Sequence, residues 1–131
     1  MPSFTLDTDR PAQLIDITDD VIRAAGELAG VGAIVVASAH TTAAIIVNEG
    51  FDPDVQGDLL RALAPLAERD DYRHDEGNSD AHVKVALLGA SQLVPVVDAR
   101  LALGRWQRIF FCEFDGPRDG RTVIVTRVTE A

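Results

Sequence analysis

Residues 32–40 read GAIVVASAH, an unbroken apolar run rich in β-branched side chains. Such residues pack well on a pleated surface and lose rotamer freedom in a helix, so the run reads as a buried strand. The feature constrains the fold because it recurs. AIIVNEG (44–50), QLVPVVDA (92–99), WQRIFFCEF (106–114) and TVIVTRV (122–128) all read as strands. SFTLDT (3–8) alternates and predicts one more, with QLIDI (13–17) as its pairing partner.

Helical signals are fewer. Thr18 reads as an N-cap with Asp19 and Asp20 in the first turn, where the helix dipole favours them. Val21, Ile22, Ala25, Leu28 and Ala29 then share one face, and Gly30 and Gly32 stop the helix. A second start is clearer: Asp52 as N-cap, Pro53 as first helical residue, Asp54 in the first turn. Val55, Leu59, Leu63 and Leu66 recur at helical spacing, and Pro65 predicts a kink or an early end. HVKVALLGA (82–90) fits a short helix or a strand equally well.

Runs of strands with two or three helices among them predict an α+β fold, a mainly antiparallel sheet packed by helices. A chain of 131 residues suits one domain over 1–131. No glycine-rich loop follows a strand, which removes the common nucleotide folds. The net charge of −9 repels phosphate backbones and excludes nucleic acid and anionic membranes as expected partners. The one cysteine, Cys112, lies among apolar neighbours and reads as a buried structural thiol. The first residues carry no basic and apolar leader, and no apolar run is long enough for a membrane span, so a cytoplasmic protein is expected.

Three polar clusters interrupt the apolar runs. SAHTTAAIIVNEGFD places His40 at one strand end and Asn48, Glu49 and Asp52 at another. YRHDEGNSDAHVK holds His74, Asn78 and His82 at successive spacings of four, which a helix would align. Gly77 and Ser79 make a loop leading into the 82–90 segment the better reading. CEFDGPRDGR closes a strand with Glu113, Asp115 and Arg118. Three neutral imidazoles with an open fourth position form the kind of centre that catalytic zinc uses, although the spacing matches no standard zinc motif. Asn48, Glu49 or Glu113 could orient the rings. Lys84 is the only lysine; two residues from His82, it would share its face on a strand and could hold a phosphate, or could simply be solvated. Arg118 can grip phosphate bidentately, and Trp106 reads as a core or subunit-interface anchor, or as a stacking platform.

Taken together, HTTA, NE with DPDV, NxxxH with a following lysine, LGxWQ and E-x-DGPR, in that order, resemble the YjbQ-like family. This family is also called UPF0047, or the secondary thiamine-phosphate synthase family. The resemblance covers residues 38–118 and, by layout, nearly the whole chain. It implies a sandwich of mainly antiparallel strands with helices packed on it, assembled as a homotrimer. It implies a metal site at His40, His74 and His82, with zinc favoured and magnesium the alternative for a pyrophosphate substrate. Around it stand a catalytic set of Glu49, Asn78 and Glu113 and a substrate-binding set of Asn48, Lys84, Ser91, Trp106, Asp115 and Arg118. The implied activity joins a pyrimidine pyrophosphate to a thiazole phosphate; the alternatives are a metal-dependent hydrolase or a non-catalytic trimer that binds a metabolite or metal. The one departure is Arg105 in LGRWQ, where the family commonly carries LGTWQ.

Overall fold

The structure is a computed structural model and describes residues 2–130. Its elements, in chain order, are β1 (Ser3–Thr8), β2 (Gln13–Asp16), α1 (Thr18–Ala25), β3 (Val31–Ser38), β4 (Ala43–Glu49), α2 (Pro53–Leu63), α3 (Ser79–Leu88), β5 (Ser91–Val97), β6 (Arg100–Leu101), β7 (Gln107–Glu113) and β8 (Arg118–Thr129). The strands form two sheets, ordered β1-β8-β3-β5-β6 and β2-β7-β4. Every strand pairing is antiparallel. The chain is therefore a single α+β domain, as the strand-rich pattern predicts.

Three layers follow from the burial patterns. The inner faces of the two sheets meet through Ile34, Val36, Val94, Val123 and Val125 on one side and Ile45, Ile109 and Phe111 on the other. The far face of the small sheet carries Ala44, Phe110, Cys112 and Phe114, which α3 covers with Ala81 and Val85 and α2 with Leu60 and Leu63. Strand β7 is thus covered on both sides, which is why FFCE reads as a continuous run. Strand β8 alternates instead, because one face of the large sheet has no layer on it. Leu93 (64% exposed), Val97 (58%) and Val128 (42%) lie on that open face. Among the described residues no helix is long and apolar enough to cross a membrane.

Three expectations are corrected, and one that was left open is decided. The strands SFTLDT and QLIDI do not pair: β1 joins β8 and β2 joins β7, in different sheets. Thr18 is not the N-cap of α1, a position held by Ile17. Its hydroxyl donates to Asp16 Oδ1 (2.7 Å) and accepts from the Ile109 amide (2.8 Å), so β7 has taken the oxygen that would cap the helix. Residues 82–88 are helical, because α3 must lay Ala81 and Val85, one turn apart, on the small sheet. The strand expected over 92–99 ends at Val97, and Asp98 and Ala99, both at positive φ, make the two-residue turn into β6. The start of α2 is as expected: Asp52 caps it by accepting from the Asp54 amide (3.0 Å), and it stops at Leu63 before a 3-10 turn containing Pro65.

One polar group lies inside this apolar frame. Glu113 is fully buried on β7 and forms an ion pair with buried Arg121 on β8. Glu113 Oε1 also accepts from Thr8 (2.7 Å) and from Arg121 Nε (2.8 Å), and Oε2 accepts from the Asp115 amide (3.0 Å). Removing one partner of such a pair strands a charge in a dry site. Arg121→Met alone is expected to lower stability by about 3–5 kcal/mol in urea unfolding, and adding Glu113→Leu to recover most of the loss. Equal losses in the single and double variants would show that the pair's charges are not the source.

Candidate functional site

The end of the sandwich where β3, α3 and β7 meet their loops gathers most of the expected residues. The β3–β4 loop carries His40, whose Nε2 accepts from the Thr122 amide at 2.8 Å. The next residue, Thr41, offers its carbonyl to His82 Nδ1 at 3.2 Å. Thr42 is buried; its hydroxyl accepts from Arg121 (2.8 Å) and its carbonyl from the Phe114 amide (3.1 Å). The loop is therefore held on both flanks by the elements of the buried ion pair.

Helix α3 presents His82 to this loop. A carbonyl opposite Nδ1 favours the tautomer with the proton there, which leaves the Nε2 lone pair free. His74, from the segment before the helix, faces His82 edge-on with ring centroids 5.5 Å apart. Asn78 is the N-cap residue of α3 and is 9% exposed. Its amide donates to Asp115 Oδ2 at 2.8 Å, while its Oδ1 is buried without a partner. Arg118 then closes on Asp115, with Nε to the carbonyl and Nη2 to Oδ2, both at 2.9 Å. The turn that carries them needs Gly116: a Cβ there would stand 2.0 Å from the Arg10 carbonyl oxygen.

Electrostatics separate the roles. Burial pushes the Asp115 carboxyl up, but Asn78 and Arg118 outweigh it and hold it below the usual carboxylate range. The same competition keeps Glu113 low: burial raises it, and Arg121, the Asp115 amide and Thr8 bring it down further. With two donors on each oxygen and no exposure, Glu113 is not placed to act as a general base. Both of its oxygens are committed to contacts within the fold. His40 is lowered by desolvation and by the nearby Arg121 and Arg118 charges, against the opposing pull of Glu113. Burial pushes the Cys112 thiol up to about 12, which leaves it unreactive, as its apolar neighbours predict.

Other expected residues are elsewhere. Asn48 and Glu49 end β4 and Trp106 precedes β7, at the opposite end of the strands from Ala43 and Glu113. Six residue steps of about 3.3 Å separate the two ends by roughly 20 Å. There Glu49 accepts from the Phe51 (3.1 Å) and Asp52 (3.0 Å) amides, and Asn48 accepts from the Glu49 amide (2.7 Å). Ser91 opens β5 beside Ala37, away from the core. Lys84 shares α3 with His82, but two helical residues are about 200° apart, so the two project to opposite sides. The residue is buried, and its ammonium stands 5.3 Å from the Phe114 ring centroid. The shared face expected on a strand is lost because the segment is a helix.

The sequence profile described as UPF0047 protein YjbQ-like matches residues 2–130. The chain belongs to this family. It is 44% identical over 122 residues to the UPF0047 protein YugU of Bacillus subtilis, covering 90% of this chain and 92% of that one. A UPF0047 protein of Methanocaldococcus jannaschii is 43% identical over 117 residues, 88% of this chain and 85% of its own. Among solved structures, a YjbQ/UPF0047 protein of Clostridium acetobutylicum superposes with a TM-score of 0.90 at 44% identity, covering 96% of this chain and 98% of that chain. The names of these relatives carry the family and no reaction.

Within this YjbQ-like chain the three histidines expected as ligands are arranged as follows. Among the described residues no three His, Cys, Asp or Glu side chains are grouped to hold a metal ion. At His40 the Nε2 lone pair accepts from the Thr122 amide, so a neutral ring carries its proton on Nδ1. His74 and His82 remain as a facing pair. Sequence reasoning missed Thr8, Thr41, Thr42 and Arg121. Arg121 was detectable, since it shares the inward face of β8 with Val123 and Val125, a place where an unpaired charge is not tolerated.

A histidine whose folded pKa is lowered binds fewer protons than it does unfolded. Its contribution is therefore intact above about pH 6.5, the unfolded value, and is lost as pH falls below it. His40→Gln keeps an acceptor for the Thr122 amide without a proton to bind. Unfolding midpoints between pH 8 and 5 should decline for the parent chain and decline less for the variant; identical slopes would remove His40 from the pH dependence.

Proposed function

We propose that the chain is an enzyme acting on a small phosphorylated molecule, of the secondary thiamine-phosphate synthase type. Its working surface lies between α3, the β3–β4 loop and the Asp115–Arg118 turn. The observation that carries the reading is the Asn78 Oδ1 atom, buried and without a partner. Buried acceptors in folded proteins are almost always satisfied, so this one calls for a donor from a bound molecule or an ordered water. An amino group on a pyrimidine ring supplies one.

The neighbours of Asn78 suit the rest of such a substrate. Arg118 is half exposed and keeps N–H groups beyond those on Asp115, enough to grip a phosphate. His82, with Nδ1 turned to Thr41, keeps an Nε2 lone pair free to accept a proton from the substrate. His74 lies against it and limits its rotation. Lys84 is buried, with its ammonium against Phe114, the residue before Asp115.

A second reading is favoured by the same pair of rings. A divalent metal, zinc before magnesium, would be held by His74 and His82, with remaining ligands from substrate or a neighbouring chain. It would supply Lewis acidity toward the phosphate oxygens. A hydrolase of a phosphorylated or heterocyclic substrate fits that case, and binding without turnover fits a regulatory trimer.

We also propose that the chain assembles as a homotrimer through the open face of its large sheet. Val35 pairs with Leu93 and Ala33 with both Pro95 and Val128, which sets apolar side chains in adjacent rows on an uncovered surface. Contiguous exposed patches of this kind mark association sites.

Three outcomes are expected. His82→Gln should lower condensation of the pyrimidine pyrophosphate with the thiazole phosphate by about 10²–10⁴-fold with its melting temperature retained. Full activity in that variant would remove His82 from the chemistry, and metal content per chain, with and without His74→Ala, decides the second reading. Light scattering should give three times the 14.1 kDa chain mass. Leu93→Arg should reduce that mass, and an unchanged mass would move the contact off this face.

A further inference from the structure

The opposite end of the sandwich holds a cleft that none of the proposed chemistry uses. It has a volume of about 470 Å3 and lies between the end of α1, the loop before α2 and the β6–β7 connection. Its walls include Leu28, Phe51, Leu101 and Leu103. Three of the chain's eleven arginines, Arg100, Arg105 and Arg108, line the same cleft in a chain of net charge −9. Arg108 is neutralised by Asp16 (2.7 Å) and Asp19 (3.4 Å). Among the described residues Arg100 and Arg105 form no ion pair. Glu27 is the one carboxylate among the lining residues.

Trp106 stands just outside and holds two walls in place. The Arg105 guanidinium lies 4.6 Å from its ring centroid, and the Phe51 ring meets it edge-on at 5.7 Å. The Trp106 carbonyl accepts from the Gly50 amide (3.0 Å), tying the segment of Phe51 to that of Arg105. Gln107 pins the turn from the other side, with Oε1 accepting from the Gly104 amide at 2.7 Å. The tryptophan making these contacts is itself 53% exposed. The bracing preorganises an apolar wall and a free cation, which lowers the cost of ordering them around a ligand.

We propose that this cleft binds a small aromatic carboxylate. The volume falls in the small-molecule range of about 300–1,000 Å3. Leucine and phenylalanine side chains receive an apolar ring, and Arg105 and Arg100 meet the carboxylate through charge-assisted hydrogen bonds. One negative charge matches the site better than a phosphate dianion, since the walls are apolar and Glu27 opposes a second charge. The site stands about a strand length from the His82 surface and does not depend on the reaction proposed there.

The test uses the full-length protein and 1-naphthoate as the probe, with 1-naphthamide as its uncharged isostere. Calorimetry and Trp106 emission should show saturable binding of one naphthoate per chain. Arg105→Ala, Arg105→Thr and Arg100→Ala should each weaken it at least about tenfold, as loss of a hydrogen bond to a charged group does. Naphthamide should bind weaker by a similar factor, and His82→Gln should leave naphthoate affinity unchanged. Four results overturn the proposal: no saturable binding, equal affinity for acid and amide, parental affinity in Arg105→Ala, or loss of binding in His82→Gln. Arg105 and Arg100 are exposed, so their replacement leaves the fold intact, and a melting curve verifies this.

Discussion

The ion pair between Glu113 and Arg121 is the interaction on which the polar end of the molecule depends. It spans the two sheets, with the carboxylate on β7 and the guanidinium on β8. Two threonines complete it, Thr8 from β1 and Thr42 from the β3–β4 loop. A buried pair is a poor source of net stability, since desolvation consumes most of the attraction. Its effect here is geometric. By holding Thr42 it fixes the loop whose adjacent carbonyl orients His82 and whose His40 ring meets Thr122. A charge in the core thus sets the direction of an imidazole at the surface.

Much of the architecture was legible because burial leaves a periodic trace. The runs around β3, β4, β7 and β8 announced strands, and the Asp52–Pro53 pair announced a helix start that the structure reproduces. What could not be read was partnership. SFTLDT and QLIDI each look like strands, yet nothing local says that their partners are β8 and β7, more than ninety residues away. The 82–90 segment was undecidable for a related reason. Alanine, valine and leucine suit either state, and only the small sheet beneath makes the helical spacing of Ala81 and Val85 the one that buries both.

The candidate site divides in the same way. Histidine spacing brought His74, Asn78 and His82 together, and EFDGPR supplied Asp115 and Arg118. Their grouping follows from loops that adjoin one end of the sandwich. The polar residues at the far end of β4 carry the same chemical character but stand a strand length away, where Glu49 ties down the loop before α2. Residue type marks capability, and strand direction decides which end of the molecule receives it.

Cys112 lies on the face of β7 that α3 covers, with no exposure. The thiol can meet a solvent-borne reagent only when the helical layer lifts from the small sheet. Because it is the sole cysteine, modification reports that one event, without background from other positions. The chain therefore carries its own gauge of local opening, placed beneath the helix that bears His82. The rate at which the native protein accepts a thiol label measures how often the scaffold of the candidate site comes apart, independently of any substrate.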